Sequence, residues 1–567
     1  MLKHRLLLKK WCWWILSILS ILLIFFYYNM LSHLFIDPTL LLSENIHAPV
    51  LLDTDTFAST DFSNKAFVST FDLGTSTFTN DLGELIHYPI QGTLGVPSDR
   101  DHSLPIVFIF PGYKENFFLG TERLDIGFTY LVQELASNGY LTVSLNIPPN
   151  YLLGHDSQEI NRRIEELFTS HFHYLNRALT GENVGYGLDI TGLGDLSNVS
   201  FISHSLSAQS LYALADSYAN SDEFNLSSLL FIAPSYLPSA EVPFTSVPTS
   251  IIIPELDGTI SSLDGQALYD DLTHLEVPPT LTSLVYLYGA NHNAFNSLIE
   301  FDDSLNLNQE LLPKSKLTTH NQRDFVTHYS IDFFNSIIED ECLDIGLQAN
   351  ALAPSQLYGY KVLTSLHSPN ELSIFAPTGK HSESFNTLGG DIKLKNTALT
   401  YVIDSYLPTK DTAGAFFLPG NPFEFPLLRL SWNVPSGVIS TIIPPKYKDV
   451  SSFESLSLSI GVDPTNSLNL PDTPQSFILE FKDTSGKAQR VLIDPSVSSM
   501  NYPSGMLISN VFTSYWSSFT PLSSLRIPLN LLDRIDLTNL YSISFIFNQT
   551  PSGSLMLGDM SFINDFE

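Results

Sequence analysis

The first half of the chain alternates apolar runs of strand length with longer segments whose apolar residues recur at helical spacing. The predicted strands are Lys65 to Leu73, Leu85 to Leu94, Ile106 to Phe110, Leu141 to Leu145, Val199 to Ile202, Leu229 to Ala233, Ser250 to Ile253 and Ser283 to Tyr288. The predicted helices are Phe128 to Ser137, Glu159 to Leu179, Ala208 to Tyr218 and Arg323 to Ile338. Alternating strands and helices form a mostly parallel sheet with helices on both faces. The pattern therefore predicts the α/β fold class for this half.

The pattern changes after about residue 350, where short β-patterned runs are separated by Pro, Gly, Asn and Ser. Predicted strands there include Leu456 to Val462, Phe477 to Lys482, Ala488 to Ile493, Ser542 to Phe547 and Ser554 to Leu557. The segment Asp483 to Lys487 has the composition of a hairpin turn. Such spacing is typical of an all-β sandwich or jelly roll, which we predict for this half.

The amino terminus carries an apolar run, Trp11 to Tyr28, with no formal charge. It is long enough to cross a bilayer. Basic residues precede it, and they are Lys3, Arg5, Lys9 and Lys10. By the positive-inside rule this predicts a transmembrane helix and a single-pass membrane protein with its amino terminus in the cytoplasm and the rest extracytoplasmic. A cleaved signal peptide, which would make the protein secreted, is the alternative, although no A-x-A-like cleavage site follows the run.

These patterns divide the chain into six segments. We predict a cytoplasmic basic tail over 1–10, a transmembrane signal anchor over 11–30, a spacer over 31–61, the α/β domain over 62–345, a linker over 346–390 and the β-sandwich over 391–567.

Composition excludes several classes of protein. The formal net charge is −32, from 27 Lys and Arg against 59 Asp and Glu, so a nucleic-acid partner is not expected. The two cysteines are too few for a disulfide framework or a thiolate metal site. Nucleotide-binding glycine motifs and zinc-ligand spacings are absent from the sequence. We expect no cofactor and no metal.

One segment has the pattern of a nucleophile elbow, a sharp turn that presents a serine between a strand and a helix. It reads Phe-Ile-Ser-His-Ser-Leu-Ser over residues 201–207, with Ser205 as the central residue. The turn needs small side chains two positions before and after the nucleophile, and Ser203 and Ser207 occupy these positions instead of glycines. The neighbouring His204 is expected to be a packing residue.

A serine nucleophile needs a base, and the base needs an acid that orients it. Asp257 follows one predicted strand and His292 follows the next, which gives the chain order Ser, Asp, His of one known triad class. Other acids lie near the first of these positions, and the alternatives are Glu255, Asp264 and Asp270.

An oxyanion-binding loop is predicted upstream, where Pro111-Gly112-Tyr113 ends a buried strand. Backbone N–H groups of Tyr113 and Leu206 are the candidate donors to a developing negative charge. Glycine at position 112 would let a substrate approach the backbone closely.

Four motifs carry a resemblance to a known family: Phe-Pro-Gly-Tyr at 110–113, Ser-His-Ser-Leu-Ser-Ala at 203–208, Leu-Asp-Gly-Thr-Ile at 256–260 and Ala-Asn-His-Asn-Ala-Phe at 290–295. They resemble the corresponding motifs of α/β-hydrolase fold serine hydrolases, closest to the lipase-, chlorophyllase- and cutinase-like branch. The resemblance covers about residues 62 to 340. It implies an α/β-hydrolase sheet with Ser205 as nucleophile, His292 as base and acid, and Asp257 as orienting carboxylate. Three segments near the carboxyl terminus resemble the closing strands of galactose-binding-like jelly rolls, a family that includes carbohydrate-binding modules; they are Leu525-Arg-Ile-Pro-Leu, Ile535-Asp-Leu and Gly553 to Phe562.

The sequence thus predicts a membrane-anchored extracytoplasmic serine hydrolase that cleaves a carboxylic ester through an acyl-enzyme on Ser205. Its expected partner is an ester-containing small molecule, lipid or polymer, with glycan contact through the sandwich as a further possibility. Trp432 and Trp516 are the candidates for stacking on a sugar. The alternatives are an inactive surface protein with an adhesion or glycan-binding role, and a serine peptidase.

Overall fold

A computed structural model of the chain describes residues 65–99, 103–112, 123–152, 154, 156–219, 221–236, 247–274, 280–309, 315–339, 345–410, 423–509 and 513–565.

A ten-stranded sheet forms the first part of the molecule. In chain order its strands are β1 (Ala66–Thr79), β2 (Leu85–Pro97), β3 (Leu104–Phe110), β4 (Leu141–Leu145), β5 (Gly194–His204), β6 (Leu226–Ile232), β7 (Thr249–Pro254), β8 (Thr282–Leu287), β9 (Gln356–Leu357) and β10 (Tyr360–His367). Their spatial order is β1-β2-β4-β3-β5-β6-β7-β8-β10-β9. Neighbours from β4 to β8 pair in parallel, whereas β1, β2, β9 and β10 add antiparallel pairs at the two edges. The carboxyl ends of β5, β7 and β8 consequently lie at one edge of the parallel centre.

Five α-helices in the described part of the chain cover this sheet on both faces. They are α1 (Thr129–Ser137), α2 (Ser157–Leu179), α3 (Ser207–Tyr218), α4 (Asp264–His274) and α5 (Thr319–Ile338). Phe108 of β3 belongs to a core shared with α2, α3 and α4, while its neighbours Val107 and Ile109 belong to a core shared with α1 and α5. Successive side chains of a strand point to opposite faces, so a continuous apolar strand supplies both cores.

The second part of the molecule is built from antiparallel strands. They are β11 (Glu371–Phe375), β12 (Ile392–Lys395), β13 (Thr397–Ser405), β14 (Glu424–Trp432), β15 (Gly437–Ile442), β16 (Ser455–Val462), β17 (Phe477–Asp483), β18 (Ala488–Ile493), β19 (Leu507–Ser509), β20 (Ser514–Trp516), β21 (Ser523–Pro528), β22 (Leu540–Phe547) and β23 (Gly553–Ile563). One large sheet has the order β13-β14-β23-β16-β21 with β11 on β23, a second has the order β12-β15-β22-β17-β18, and β19 and β20 form a separate two-stranded sheet. Alternate residues such as Leu458 of β16 and Leu479 of β17 meet in one core. The predicted hairpin at Asp483 to Lys487 is confirmed, since β17 pairs with β18 across it.

The predicted fold class is wrong for this molecule. The prediction is α/β, an α/β-hydrolase sheet with helices on both faces, with a C-terminal all-β jelly-roll or sandwich domain and an N-terminal transmembrane helix. Strands hold 38% of the described residues and helices 24%, several sheets are antiparallel, and none of the five described helices is long and apolar. The excess of strand arises because antiparallel strands extend both edges of the parallel centre and the second part adds strands without α-helices in its described residues. The molecule is mostly β and is not a helix-rich α/β-hydrolase.

The predicted single-pass membrane placement is contradicted as well. Among the residues that the structure describes, no helix combines the length and the apolar composition needed to cross a bilayer. The predicted anchor at 11–30, with the tail at 1–10, lies outside the described residues.

The two parts pack directly against each other. The Tyr406 hydroxyl, after β13, donates a hydrogen bond to the carboxylate of Asp270 in α4, and its ring stacks on Phe425 with centroids 4.1 Å apart. Ile563 of β23 belongs to the core beneath α1 and α5. Strands β9 and β10 of the large sheet and β11 of the sandwich fall within the segment predicted as a linker, 346–390. The predicted domain limits stay predictions.

Candidate active site

Ser205 occupies a strained turn between β5 and α3. Its φ is 61°, a left-handed conformation that costs a residue with a side chain about 1–3 kcal/mol. The Ser205 N–H donates to the Ile232 carbonyl at 3.1 Å, and the Ser205 carbonyl accepts from Ala208 N at 3.1 Å and from Ser235 N at 3.0 Å. Hydrogen bonds on both sides of the residue hold the turn, so its hydroxyl is presented at the end of β5.

Small residues around Ser205 let the turn pack tightly. Ser203 is fully buried at the end of β5, and Ser207 donates its hydroxyl to the carbonyls of Phe110, at 2.6 Å, and His204, at 2.9 Å. A Cβ added to Gly112 would lie 2.0 Å from the His204 carbonyl oxygen and 2.7 Å from Leu206 N. The end of β3 therefore touches the elbow, and a glycine is required at this contact.

Three of the predicted residues form one chain of hydrogen bonds. His292 Nε2 lies 2.8 Å from Ser205 Oγ, and His292 Nδ1 lies 2.9 Å from Asp257 Oδ2. An ionised carboxylate only accepts, so Nδ1 carries the proton and Nε2 is left to accept from the serine hydroxyl. The side chain of His292 is 2% exposed and that of Asp257 is 10% exposed. Burial restricts competition from water for these bonds.

The second oxygen of Asp257 is also occupied. Asp257 Oδ1 accepts from the backbone N–H groups of Thr259, at 2.9 Å, and Ile260, at 2.6 Å. These two bonds fix the carboxylate plane, so that Oδ2 faces His292. The loop after β7 is thus shaped around the carboxylate.

The alternative acids have other partners. Glu255 accepts from Gly289 N at 2.8 Å, and Asp264 accepts from Tyr236 N at 2.9 Å. Asp270 accepts from Tyr406 at the junction with the sandwich. Of the four acids considered, Asp257 is the one in hydrogen-bond contact with the His292 ring.

One of the two predicted oxyanion donors, Leu206, lies at a helix terminus. Leu206 immediately precedes α3, so its N–H lies at the amino end of a twelve-residue helix. The free N–H groups and the macrodipole at such an end favour negative charge. Tyr113, the second predicted donor, lies outside the described residues.

His204, which the sequence indicated as a packing residue, contacts the candidate base directly. Its ring centroid is 4.9 Å from that of His292, and its Nε2–H donates to the His292 carbonyl at 3.2 Å. Burial lowers the pKa of His204 well below its usual range, and the nearby His292 lowers it further. A neutral imidazole thus supports the backbone of the candidate base.

Asp303 is a second residue that sequence reasoning missed. It is fully buried, and it accepts from Gly258 N at 2.8 Å, Asn293 N at 2.9 Å and His292 N at 3.3 Å. No sequence signal distinguished it, because the acid turn and the histidine loop that it joins meet only in the folded chain.

The candidate sugar-stacking residues are buried. Trp432 is 1% exposed and stacks on Phe547 with centroids 4.1 Å apart. Trp516 is 5% exposed, and its Nε1–H donates to the Ser504 carbonyl at 2.9 Å. Trp432 belongs to the core of the sandwich, and Trp516 is buried on β20 of the small β19-β20 sheet.

The arrangement can move a proton from a serine hydroxyl to an imidazole and stabilise the resulting charge. Within the described ranges, no group of three or more His, Cys, Asp or Glu side chains is arranged to hold a metal ion. In comparisons with known proteins, no protein-family model and no curated protein matched the chain.

Proposed function

We propose that the protein is a serine hydrolase that cleaves a carboxylic ester through an acyl-enzyme on Ser205. The observation that carries the proposal is the continuous path of hydrogen bonds from Ser205 Oγ through both nitrogens of His292 to Asp257. The strained backbone of Ser205 supports it, because such strain concentrates at functional sites. The motif resemblance to serine hydrolases is in accord with the proposal and stays a prediction.

In the first half-reaction the Ser205 oxygen attacks the ester carbonyl carbon while its proton passes to His292 Nε2. Asp257 stabilises the imidazolium through the Nδ1–H bond. The tetrahedral oxyanion accepts from backbone N–H groups, with Leu206 as one donor. When the carbon–oxygen bond to the alcohol breaks, the imidazolium returns its proton to the departing alkoxide, and the acyl group remains on Ser205.

Water completes the cycle by the same steps in reverse. His292 takes a proton from the water as its oxygen attacks the acyl carbon, and the second oxyanion is held as the first was. Collapse of this intermediate breaks the bond to Ser205, which recovers its proton from the imidazolium. One ester and one water give one acid and one alcohol.

The alternatives have less support. A peptidase would use the same three side chains, so the triad does not separate ester from amide cleavage. Trp432 and Trp516 do not support a glycan-binding or adhesion role, because both are buried.

The first test is hydrolysis of p-nitrophenyl esters of increasing acyl length by the purified chain. Replacement of the nucleophile in Ser205→Ala is expected to lower kcat by about 10⁴- to 10⁶-fold. Ser210→Ala is the matched control, because Ser210 is a buried serine of α3 whose hydroxyl has no hydrogen-bond partner among the described residues. It should retain wild-type turnover.

Aminoacyl anilides, assayed in parallel, distinguish the two kinds of bond. Turnover of esters but not of anilides supports the proposal, and the reverse favours a peptidase. Equal activity in Ser205→Ala and wild type would refute the assignment of the nucleophile.

A further inference from the structure

The acid and the base of the site lie on separate loops, and one buried carboxylate joins them. Asp303 opens a short 3₁₀ turn, Asp303–Asn306, that follows the histidine loop. Through its two oxygens it accepts from Gly258, one residue after Asp257, and from both His292 and Asn293. The three donors are backbone N–H groups, so the contact constrains main-chain positions on both loops.

The packing around this contact is tight. A Cβ on Gly258 would lie 1.8 Å from the carbonyl oxygen of Asp303, so the acid turn can approach it only as glycine. The side chain of Asn306 adds a second hydrogen bond between the turn and this residue, because it donates to the Gly258 carbonyl at 3.1 Å. Both ends of the 303–306 turn therefore hold the residue that follows Asp257.

The same carboxylate acts on the charge of the base. Burial raises the pKa of Asp303, and the neighbouring Asp257 raises it further, whereas His292 and the N–H donors act to lower it. Electrostatic coupling is mutual. A carboxylate whose ionised form is favoured by the imidazolium of His292 must itself favour that imidazolium.

On these contacts, and resting on the proposed function, we propose that Asp303 is a positioning residue for the Asp257–His292 pair. It sets the spacing of the two loops through backbone hydrogen bonds, and its negative charge stabilises the imidazolium that forms when Ser205 loses its proton. Its hydrogen bonds within the described residues come from backbone N–H groups of the two loops and not from Ser205, so it acts through His292.

Other ionisable groups lie near Asp303 and His292, and they also influence the protonation of the His292 ring. His292 faces Asp257 after β7 and His204 at the end of β5, and burial lowers the pKa of His204 so that it stays neutral. The adjacent Asp302 is partly exposed and pairs with Lys316 at 3.3 Å. Of the two neighbouring acids at 302 and 303, only Asp303 accepts from the His292 backbone.

The test compares two variants that separate charge from position. Asp303→Asn removes the charge and one acceptor, and it is expected to lower kcat about 10- to 100-fold with little change in KM. The acid limb of its kcat/KM profile should move to lower pH, because an imidazolium without this carboxylate loses its proton more readily. Asn306→Ala removes the hydrogen bond from the exposed Asn306 side chain to the Gly258 carbonyl and keeps the charge of Asp303. It should lower kcat without moving the acid limb.

Asp494→Asn is the control for loss of one charge, since Asp494 is partly exposed and caps a turn in the sandwich through Ser496. Its profile should match wild type. Superposition of the Asp303→Asn profile on that of wild type would overturn the proposal. A wild-type kcat in Asn306→Ala would overturn the claim that Asp303 and its turn position the two loops. If Asp303→Asn does not fold, Asn306→Ala still tests that claim.

A readout that needs no turnover keeps this inference distinct from the proposed function. The imidazole C–H signal of His292, assigned by its loss in His292→Gln, is titrated by NMR in wild type and in Asp303→Asn. A lower midpoint in the variant supports the role of Asp303 even if the wild-type chain hydrolyses no ester. An identical midpoint contradicts the role even if the chain is an active esterase.

Discussion

At the scale of single residues, the site depends on the protonation pattern of one imidazole. Asp257 Oδ1 is tied to two backbone N–H groups, so Oδ2 remains to accept from His292 Nδ1. That bond leaves Nε2 without a proton and able to receive one from Ser205. In the proposed mechanism, Asp257 therefore selects a tautomer as well as supplying charge.

The amide variant Asp257→Asn tests this role. The backbone N–H groups of Thr259 and Ile260 will hydrogen-bond the amide oxygen, so the amide NH₂ will face His292. Nδ1 must then accept from this NH₂, and the imidazole proton moves to Nε2. An Nε2 that carries a proton cannot accept one from Ser205, and we expect kcat to fall by about 10³- to 10⁴-fold.

Steady-state kinetics at the pH optimum measure the loss, and circular dichroism checks that the fold is kept. Activity within a few-fold of wild type would show that Asp257 does not orient the base.

The candidate residues of the triad could be predicted because each obeys a local rule. Ser205 lies between a strand and a helix, and Asp257 and His292 each follow a buried strand, so chain order and strand ends were sufficient. Asp303 obeys no such rule, since its contact with Gly258 spans 45 residues and exists only after the loops pack. The role of His204 was missed for the same reason.

At the scale of elements, the ends of β7 and β8 carry a partly buried acid that is separate from the triad. Glu255 follows β7 and accepts from Gly289 beyond the end of β8. Burial raises the pKa of Glu255 to about 7, although the Gly289 hydrogen bond and the charge of Lys361 act to lower it. The junction of the two strands is therefore sensitive to pH near neutrality.

Stability should follow the protonation of this group. The unfolded chain releases the Glu255 proton near pH 4.5, whereas the folded protein keeps it until about pH 7. The folded state binds more protons between these values, so its free energy of unfolding falls as the pH rises through this window. Glu255→Gln removes this titrating group. Between pH 5 and pH 8 we expect its free energy of unfolding to fall by about 2 kcal/mol less than that of wild type.

Urea unfolding at the two pH values measures the difference. The exposed Glu223→Gln variant is the control for loss of one carboxylate, and it should follow wild type. Parallel pH dependence of wild type and Glu255→Gln would contradict the prediction.

The elements also show why the fold class was mistaken. Periodicity identified β3 to β8 and four of the five helices, but not α4. It gave no sign that β1, β2, β9 and β10 would extend the sheet with antiparallel pairs. The strand β1 runs to Thr79 across a bulge at Asp72 and Thr75, where the polar sequence had indicated the end of a strand. Hydrogen-bond partners in a sheet are set by tertiary structure, which single-strand patterns do not contain.

At the scale of the whole molecule, the segment between the two parts completes the large sheet. Strand β10 pairs with β8 along Thr282 to Leu287, and its Val362, Leu363 and Leu366 are buried. A fragment that ends at residue 345 would expose the edge of β8 and the core beneath it. An unpaired edge of this kind favours aggregation.

Fragments of different length test the contribution of β10. We expect 62–369 to be more stable than 62–345 by about 5 kcal/mol, from burial of three apolar side chains. The fragment 62–355 controls for added length, because it ends before β9, and it should behave like 62–345. Thermal unfolding followed by circular dichroism compares the three, and equal melting temperatures for 62–345 and 62–369 would contradict the prediction.

The most direct test of the central claim is covalent labelling of the whole chain with a fluorophosphonate probe, with the labelled peptide identified by mass spectrometry. We predict one modified residue, Ser205, with labelling abolished in Ser205→Ala, strongly reduced in His292→Ala and unchanged in Ser210→Ala. A folded wild-type chain that takes up no probe, or takes it up equally in Ser205→Ala, would contradict the assignment of a serine nucleophile at the end of β5.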